Sequence, residues 1–253
     1  MDLFSLKGKI ALVTGSSRGL GLAMARGLGE AGATVILHGR DEQRLGLTLE
    51  SLKGAGLTCY GYPFDVTERK AVLASVDAME REVGPIGILV NNAGINIRLP
   101  FEEYKTGEWM SILDTNLHGV IHLTQAVGKK MIIRRSGKII NITSISSTIA
   151  RPKIVPYAAS KGALKMLTKG LAVEWAPYNI QVNAIGPGFF ITDETDELIR
   201  DEAFDGWVRE RVPAGRWGKP HELVGTVVYL ASGASDFVTG QTVYVDGGWL
   251  STY

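Results

Sequence analysis

Short apolar runs alternate with helix-length segments along the whole of this 253-residue chain. Parallel strands need long crossover connections, and a parallel sheet that is covered on both faces is built from strands that are apolar throughout. The alternation therefore predicts an α/β fold of the doubly wound Rossmann type, with a mostly parallel seven-stranded sheet between helices on both faces. Strands are predicted at residues 10–13, 34–37, 58–60, 88–90, 138–142, 180–184 and 242–245, and helices at 19–30, 41–53, 68–83, 106–133 and 157–175.

No linker, repeat or low-complexity tract interrupts the chain, so residues 1–253 are predicted to form a single dinucleotide-binding domain. Residues 188–216 differ from the rest because they combine many charged side chains with aromatic ones such as Phe204 and Trp207. This segment follows a predicted strand end, where ligands bind in sheets of this kind. It is predicted to be a substrate lid, and a solvated pair of surface helices is the alternative.

Composition excludes several classes of function. With 27 basic and 26 acidic residues, the net charge of +1 gives no electrostatic basis for binding nucleic acid or an anionic membrane. The single cysteine, Cys59, rules out an intrachain disulfide. His118 and His122 lie four residues apart but lack the glutamate of a zinc-protease motif, so no metal is predicted. With no secretory signal pattern and no apolar run of roughly 18–20 residues, a cytoplasmic protein is the expectation.

A glycine-rich turn, Thr-Gly-Ser-Ser-Arg-Gly-Leu-Gly at residues 14–21, follows the first predicted strand and opens a helix. Gly15 permits a tight turn, Gly19 lets a pyrophosphate approach the backbone, and Gly21 lets the helix pack closely on the sheet. The N–H groups and partial positive charge of the helix N-terminus favour an anion. The turn therefore predicts a dinucleotide site formed by Gly15, Ser17, Arg18, Gly19, Leu20 and Gly21.

The end of the second predicted strand indicates which dinucleotide binds. NAD sites usually place a carboxylate there, against the ribose 2′-hydroxyl. This strand ends in Leu-His-Gly-Arg at residues 37–40, and Asp41 is better explained as a helix N-cap. The guanidinium groups of Arg18 and Arg40 suit a 2′-phosphate. We therefore predict NADP(H) rather than NAD(H) as the cofactor.

Two further strand ends are candidate parts of the cofactor site. Asp65 and Val66 follow the third strand and are predicted to meet the adenine edge. Asn92, Ala93 and Gly94 follow the fourth strand, where short polar groups and glycine would let the backbone pack against the adenosine ribose. A simple strand-ending turn is the alternative for the second group.

The candidate chemical group is a tyrosine and a lysine, Tyr157 and Lys161, which helical spacing places on one face. An ammonium about 4 Å from a phenol, at an effective dielectric near 20, favours the phenolate by up to ~4 kcal/mol, or nearly 3 pKa units. Lys161 is therefore predicted to lower the pKa of Tyr157 toward the range of general acid–base catalysis. Ser144, at the end of the fifth predicted strand, can donate a hydrogen bond to a carbonyl or alkoxide oxygen.

Taken together, these motifs resemble the short-chain dehydrogenase/reductase family over nearly the whole chain. The matching elements are the glycine-rich turn, Asn91-Asn92-Ala93-Gly94, Asn116, Ser144, Tyr157-x-x-x-Lys161 and Pro187-Gly188-x-x-x-Thr192. The resemblance implies that Asn116 holds the water of a proton relay to Lys161, which with Tyr157 also contacts the cofactor. It implies that Thr192 contacts the nicotinamide amide or the pyrophosphate, beside Pro187 and Gly188. A homotetramer built on the helices that begin near residues 106 and 157 is also implied.

A narrower resemblance links the chain to gluconate 5-dehydrogenases, which interconvert gluconate and 5-ketogluconate. It rests on residues 3–9, 156–163, 201–204, 211–218 and 245–248. The 2-dehydro-3-deoxygluconate 5-dehydrogenases share much of this pattern but generally use NAD. The chain departs from the gluconate group at residues 94–98, which read Gly-Ile-Asn-Ile-Arg, and at Ser146, where that group tends to carry Gln.

These departures lie on the substrate side of the site. Arg98 and Arg151 are candidates to bind the carboxylate of a sugar acid, and an ordinary surface arginine is the alternative for each. The predicted substrate residues are Arg98, Ser144, Ser146, Arg151 and Tyr157.

The prediction is an NADP-dependent oxidoreductase that acts on a secondary hydroxyl of a sugar acid, the C5 hydroxyl of gluconate. A reductase of another carbonyl, such as a 3-oxoacyl thioester or 2-dehydro-3-deoxygluconate, is one alternative. A non-catalytic NADPH-binding sensor is another.

Overall fold

The computed structural model, which describes residues 2–252, contains one seven-stranded sheet in the order β3-β2-β1-β4-β5-β6-β7. Every neighbouring pair of strands is parallel, as the buried apolar runs require. The strands are β1 Ile10–Val13, β2 Thr34–Gly39, β3 Cys59–Pro63, β4 Ile88–Asn91, β5 Gly137–Ile142, β6 Ile180–Pro187 and β7 Thr242–Val245. The predicted doubly wound α/β fold is therefore confirmed.

Nine α-helices lie within the described residues 2–252. They are α1 Gly19–Glu30, α2 Glu42–Gly54, α3 Arg69–Glu82, α4 Thr106–Leu113, α5 Gly119–Arg134, α6 Val155–Trp175, α7 Asp196–Arg200, α8 Glu202–Arg211 and α9 Val224–Ala231. The side chain of Asp41 accepts a hydrogen bond from the backbone N–H of Arg44 at 2.9 Å, so its predicted role as the N-cap of α2 is confirmed. No helix in this part of the chain is both long and apolar enough to cross a membrane.

Several predicted elements differ from the structure, and β2 and β6 extend past their predicted ends at residues 37 and 184, to Gly39 and Pro187. The helix predicted at residues 106–133 is divided into α4 and α5 by a π-helical turn at Asp114–His118. The third strand extends to Pro63, beyond the predicted end at residue 60, because Gly61, Tyr62 and Pro63 pair with β2. Glycine and proline hide this extension in the sequence, and an edge strand tolerates proline because one side of its backbone needs no partner strand.

Side chains on the two faces of the sheet form two separate cores. Val13, Val35 and Val90 pack on one face with residues of α1 and α9, such as Met24 and Val227. Leu12, Ile36 and Leu89 pack on the other face with residues of α3 and α5, such as Met79 and Val127. The alternation of neighbouring strand residues between the two cores holds the strands between helices on both sides. The carboxyl ends of the strands are thereby left at one edge of the sheet.

The segment 188–216 contains α7 and α8, and it carries a third apolar cluster. Val208 and Val212 are buried there, together with Ile145, Trp217 and Trp249 from outside the segment. Asp201 caps α8 by accepting hydrogen bonds from two backbone N–H groups. The segment thus packs beside the carboxyl ends of β5 and β6, and its closure over a substrate stays a prediction.

Candidate active site

A cavity of about 790 Å³ opens at the carboxyl ends of β1, β2, β4, β5 and β6. All of the predicted cofactor residues line it: Gly15, Ser17, Arg18, Gly19, Leu20, Gly21, Arg40, Asp65, Val66, Asn92, Ala93, Gly94, Tyr157, Lys161, Pro187, Gly188 and Thr192. The predicted reacting and substrate residues Arg98, Ser144, Ser146, Arg151, Tyr157 and Lys161 line the same cavity. Asn116 alone among the predicted residues is not part of its wall. The fold therefore brings both halves of the predicted site into one cleft.

The glycine-rich turn fits a pyrophosphate. Gly15 has a φ of +62°, which disfavours a side chain, and a Cβ on Gly21 would lie 2.2 Å from the Gly15 carbonyl oxygen. The helix α1 begins at Gly19 with no side-chain hydrogen bond at its N-cap, Arg18. The first backbone N–H groups of an α-helix have no partner within the helix, so those of α1 are free to bind phosphate oxygens.

The side chain of Asn92 holds this turn from the direction of β4. Its amide nitrogen donates to the carbonyl oxygens of Thr14 at 2.8 Å and Gly15 at 3.0 Å. The hydroxyl of Thr14, in return, accepts from the backbone N–H groups of Asn92 and Ala93. Thr14 was not among the predicted site residues. Its role in joining the ends of β1 and β4 is indicated by the position of its buried hydroxyl between them.

His38 is a second residue that the sequence analysis did not assign to the site. It lies near the end of β2, the strand end at which NAD sites usually carry a carboxylate. Both nitrogens of its imidazole are hydrogen-bonded, Nδ1 to the Gly15 N–H and Nε2 to the Phe64 carbonyl. Burial lowers its pKa to about 4, although the hydrogen bond to the Phe64 carbonyl opposes that shift. The ring is therefore neutral at physiological pH. A polar residue within an otherwise apolar strand is the sequence signal that indicates it.

Both arginines predicted to bind the cofactor phosphate are already paired with carboxylates. Arg18 lies 3.1 Å from Glu194, and Arg40 lies 3.4 Å from Asp65. The side chains of Arg18 and Arg40 are substantially exposed, and exposed ion pairs contribute only about 0–1 kcal/mol, so a phosphate dianion can displace their partners. Glu194, in the segment 188–216, was not predicted as a site residue and has no motif that would indicate it.

The predicted reacting groups lie together. Ser144 follows β5, Tyr157 and Lys161 lie in α6, and all three residues line the same cavity. The Ser144 hydroxyl accepts a hydrogen bond from the backbone N–H of Ser146 at 3.1 Å, which fixes its orientation. A serine hydroxyl and a phenol thus converge on one region of the cleft, as a carbonyl oxygen would require.

The predicted effect of Lys161 on Tyr157 is wrong for this structure. Burial raises the pKa of Tyr157, and the neighbouring Ser144 hydroxyl lowers it. The charge of Glu194 raises this pKa further, while Arg151 and Arg98 oppose the rise. The ammonium of Lys161 is held at 2.7 Å by the carbonyl oxygen of Ile142 and lies 5.6 Å from the centroid of the Tyr157 ring. Because burial disfavours charge on both groups, the pKa of Lys161 is itself lowered to about 8.

The buried ammonium predicts a pH dependence of stability. The pKa of Lys161 is about 8 in the fold, against an ordinary value of 10.5, so between these values the unfolded chain binds more protons. The unfolding free energy should therefore rise across this window, by about 3 kcal/mol at 1.36 kcal/mol per pKa unit. Urea denaturation of the wild type and Lys161→Met from pH 7 to 10.5 should show this gain in the wild type alone. If the unfolding free energies of the two proteins changed with pH in parallel, the lowered pKa of Lys161 would be contradicted.

Asn116 lies behind the cleft, in the π-helical turn. Its amide accepts from the backbone N–H of Ile95 at 2.8 Å and donates to the Ile95 carbonyl at 2.9 Å and to the Ser160 hydroxyl at 3.2 Å. The side chain therefore fastens the loop after β4 to α6. A Cβ on Gly94 would lie 3.2 Å from the Asn116 amide oxygen and 3.6 Å from the Lys161 ammonium. The water relay implied by the family resemblance stays a prediction.

Arg98 and Arg151 both line the cavity. The Arg151 guanidinium carbon lies 5.9 Å and 5.6 Å from the ring centroids of Phe189 and Phe204. Burial lowers the pKa of Arg151, and the positive charge of Arg98 lowers it further. Within residues 2–252, neither guanidinium has an ion-pair partner. Two mutually repelling, unpaired cations in a cavity favour an anionic ligand.

A parallel sheet with an anion-binding turn at its edge, next to a Ser–Tyr–Lys group, defines a dinucleotide-dependent oxidoreductase. A family model described as "Enoyl-(Acyl carrier protein) reductase" matches residues 15–250. The chain belongs to the short-chain dehydrogenase/reductase family.

Relatives and solved structures agree with this assignment. The chain is 49% identical over 247 residues to a gluconate 5-dehydrogenase of Gluconobacter oxydans (strain 621H), covering 98% of this chain and 96% of the relative. It is 49% identical over 249 residues to a 5-keto-D-gluconate 5-reductase of Escherichia coli (strain K12), covering 98% of each. The crystal structure of a gluconate 5-dehydrogenase from Burkholderia cenocepacia J2315 in complex with NADP and tartrate has a TM-score of 0.97 and 48% identity, covering 100% of this chain and 99% of that one.

Proposed function

We propose that this protein is an NADP-dependent oxidoreductase that interconverts gluconate and 5-ketogluconate. The observation that carries the proposal is the position of two unpaired guanidinium groups, Arg98 and Arg151, in the same cavity as Ser144, Tyr157 and Lys161. A sugar acid carries both functional groups for which this cavity has partners, a carboxylate and a secondary hydroxyl. The names of the two curated relatives describe this reaction from its two directions.

NADP is the cofactor that the adenosine end of the cleft fits. Arg18 and Arg40 are available there for a 2′-phosphate, and β2 ends without a carboxylate that would repel it. The solved gluconate 5-dehydrogenase of 48% identity holds NADP. When bound, the nicotinamide ring supplies the hydride acceptor for alcohol oxidation and the hydride donor for ketone reduction.

The protein's own groups manage the proton. In oxidation, Tyr157 takes the proton of the substrate hydroxyl, and Ser144 donates a hydrogen bond to the same oxygen. In reduction, Tyr157 returns the proton to the alkoxide oxygen as it forms. The raised pKa of Tyr157 keeps the phenol protonated in the free protein, which is the form that reduction requires. Lys161 holds the cofactor ribose beside this group, and Asn116 keeps the loop after β4 in place.

The two free arginines are predicted to bind the substrate carboxylate. Arg98→Gln and Arg151→Gln should each raise the KM for gluconate by about 10-fold or more, since a hydrogen bond to a charged group contributes about 1.5–3 kcal/mol. The KM for NADP should stay within about 3-fold of wild type, because the cofactor binds elsewhere in the cleft. Steady-state kinetics with each substrate varied in turn measure both values.

Arg200→Gln is the matched control, because Arg200 lies in α7 and does not line the cavity. If this control raised the KM for gluconate as much as the two cavity variants, loss of positive charge alone would explain the effect. The assignment of the carboxylate site to Arg98 and Arg151 would then be wrong.

A substrate panel tests the proposed function directly. Gluconate with NADP, and 5-ketogluconate with NADPH, should change the nicotinamide absorbance. Acetoacetyl thioester, which has no carboxylate, should give a kcat/KM lower by about 10-fold or more. 2-Dehydro-3-deoxygluconate has the carboxylate and the C5 hydroxyl but lacks the hydroxyls of gluconate at C2 and C3, so its kcat/KM should be lower by a similar factor. Turnover of one of these in preference to the gluconate pair would replace the proposed substrate, and no turnover of any would support an NADPH-binding sensor.

A homotetramer in the cytoplasm completes the proposal. Met110 on α4, and Met166 and Val173 on α6, are 40%, 67% and 80% exposed, and these helices are the ones that the family resemblance implicates in assembly. Exposed apolar side chains on neighbouring helices favour association. Sedimentation at micromolar concentration should give about four chain masses, and a monomer would contradict this part of the proposal.

A further inference from the structure

His38 lies where the ends of β1, β2 and β3 meet, and its ring is 2% exposed. Its Nδ1 is 3.0 Å from the backbone N–H donor of Gly15, and its Nε2 is 2.9 Å from the carbonyl oxygen of Phe64. The Phe64 carbonyl can only accept, so Nε2 carries the proton and Nδ1 is the acceptor. The tautomer of the neutral ring is therefore determined by its two partners.

The main chain of His38 makes two further bonds to the glycine-rich turn. Its N–H donates to the Ser16 hydroxyl at 3.0 Å, and its carbonyl accepts from the Ser16 N–H at 2.9 Å. Both bonds are independent of the side chain. A substitution at this position therefore removes only the ring and its two hydrogen bonds, which makes the contribution of the ring measurable.

The two partners of the ring belong to different parts of the cofactor cleft. Gly15 begins the turn whose helix, α1, has the free N–H groups for a pyrophosphate. Phe64 immediately precedes Asp65, which lines the cleft and pairs with Arg40. The ring of Phe64 also packs on the imidazole, with 4.1 Å between the ring centroids. One imidazole thus joins the pyrophosphate turn to the strand end proposed to face the adenine.

We propose that His38 is a positioning residue for the dinucleotide, which sets cofactor affinity by fixing the turn at Gly15 relative to the end of β3. It makes no contact with the reacting group, so it acts on binding and not on the chemical step. The proposal uses the cofactor part of the proposed function and is independent of which sugar acid is the substrate.

The test compares three substitutions by titrating the protein with NADPH in the absence of substrate. His38→Leu fills the space but leaves the Gly15 N–H without an acceptor. In His38→Asn the amide oxygen takes the place of Nδ1 and restores that acceptor, whereas His38→Gln offers its amide near the position of Nε2. The Kd should rise roughly 10-fold or more for His38→Leu, the range expected for an unpaired buried donor. It should stay within about 3-fold for His38→Asn, with His38→Gln in between.

Kinetics at saturating NADPH separate positioning from general damage. The kcat of each variant should remain within about 3-fold of wild type while the KM for NADPH follows the Kd. Three results would overturn the proposal: equal Kd values for His38→Asn and His38→Leu, an unchanged Kd in His38→Leu, or a loss of activity that is confined to kcat. If His38→Leu does not fold, His38→Asn and His38→Gln are compared instead. The proposal is overturned if His38→Asn does not bind NADPH more tightly than His38→Gln. Because the titration contains no substrate, a wrong sugar acid cannot produce either result.

Discussion

Tyr157→Phe is expected to lower kcat by about 10²–10⁴-fold, the range for losing a general acid–base group. The substitution removes only the phenolic oxygen, so the ring keeps its packing in the cleft and the 5.6 Å approach of the Lys161 ammonium to its centroid. Binding of NADPH should be nearly unchanged, because the glycine-rich turn and the two arginines that are proposed to hold its phosphates are left intact. Stopped-flow or steady-state turnover, together with an NADPH titration, measures the two quantities separately.

The matched control is Tyr60→Phe, which removes a hydroxyl from a 42% exposed tyrosine on the edge strand β3. It should behave as wild type. Wild-type turnover in Tyr157→Phe would refute the assignment of the proton to this residue. A parallel loss of NADPH binding would show instead that the phenol is needed to form the cleft.

The double variant Arg18→Gln/Arg40→Gln is expected to lower kcat/KM with NADP by about 10²-fold or more. Each guanidinium is proposed to make a charge-assisted hydrogen bond to the 2′-phosphate, and such bonds contribute about 1.5–3 kcal/mol each. With NAD, which has no 2′-phosphate, kcat/KM should change by less than about 3-fold. The ratio of kcat/KM with NADP to kcat/KM with NAD, measured with the same substrate, should therefore fall.

Arg26→Gln is the control for this pair, because Arg26 lies in α1 but outside the cleft. It should leave the ratio unchanged. An equal loss with NAD and NADP in the double variant would assign the arginines to the pyrophosphate, which both cofactors share. A wild-type enzyme that uses NAD as well as NADP would contradict the predicted preference itself.

The strands were predictable where a short run of apolar or β-branched residues marks them, as at Ile10–Val13 and Thr242–Val245, whose bounds agree with the prediction. Prediction failed where backbone pairing alone extends an element. The end of β3 contains Gly61 and Pro63, which carry no apolar signal, and only the register with β2 includes them. The π-helical turn at Asp114–His118 was equally hidden, since an apolar helix pattern continues on both sides of it.

The charge states of the reacting pair could not be predicted from spacing. A separation of four residues places Tyr157 and Lys161 on one helix face, and from this alone the lysine was expected to lower the pKa of the phenol. In the fold the ammonium donates to the Ile142 carbonyl, and burial acts on both groups. The direction of a pKa shift depends on the surroundings of a group, and helical spacing describes only one neighbour.

The positions of the motifs relative to the predicted strands were enough to assign most of the predicted site residues to one cleft. Successive βα units deliver the carboxyl end of each parallel strand to one edge of the sheet, so motifs that follow strands must converge there. The hydrogen bonds and charge states of these residues depend on the tertiary contacts of the folded chain. The Gly15 N–H meets an imidazole 23 residues away, and the Thr14 hydroxyl meets an N–H 78 residues away. Hydrogen bonds and burial act over a few ångströms between segments distant in the chain, and no local pattern of residues records which segments those will be.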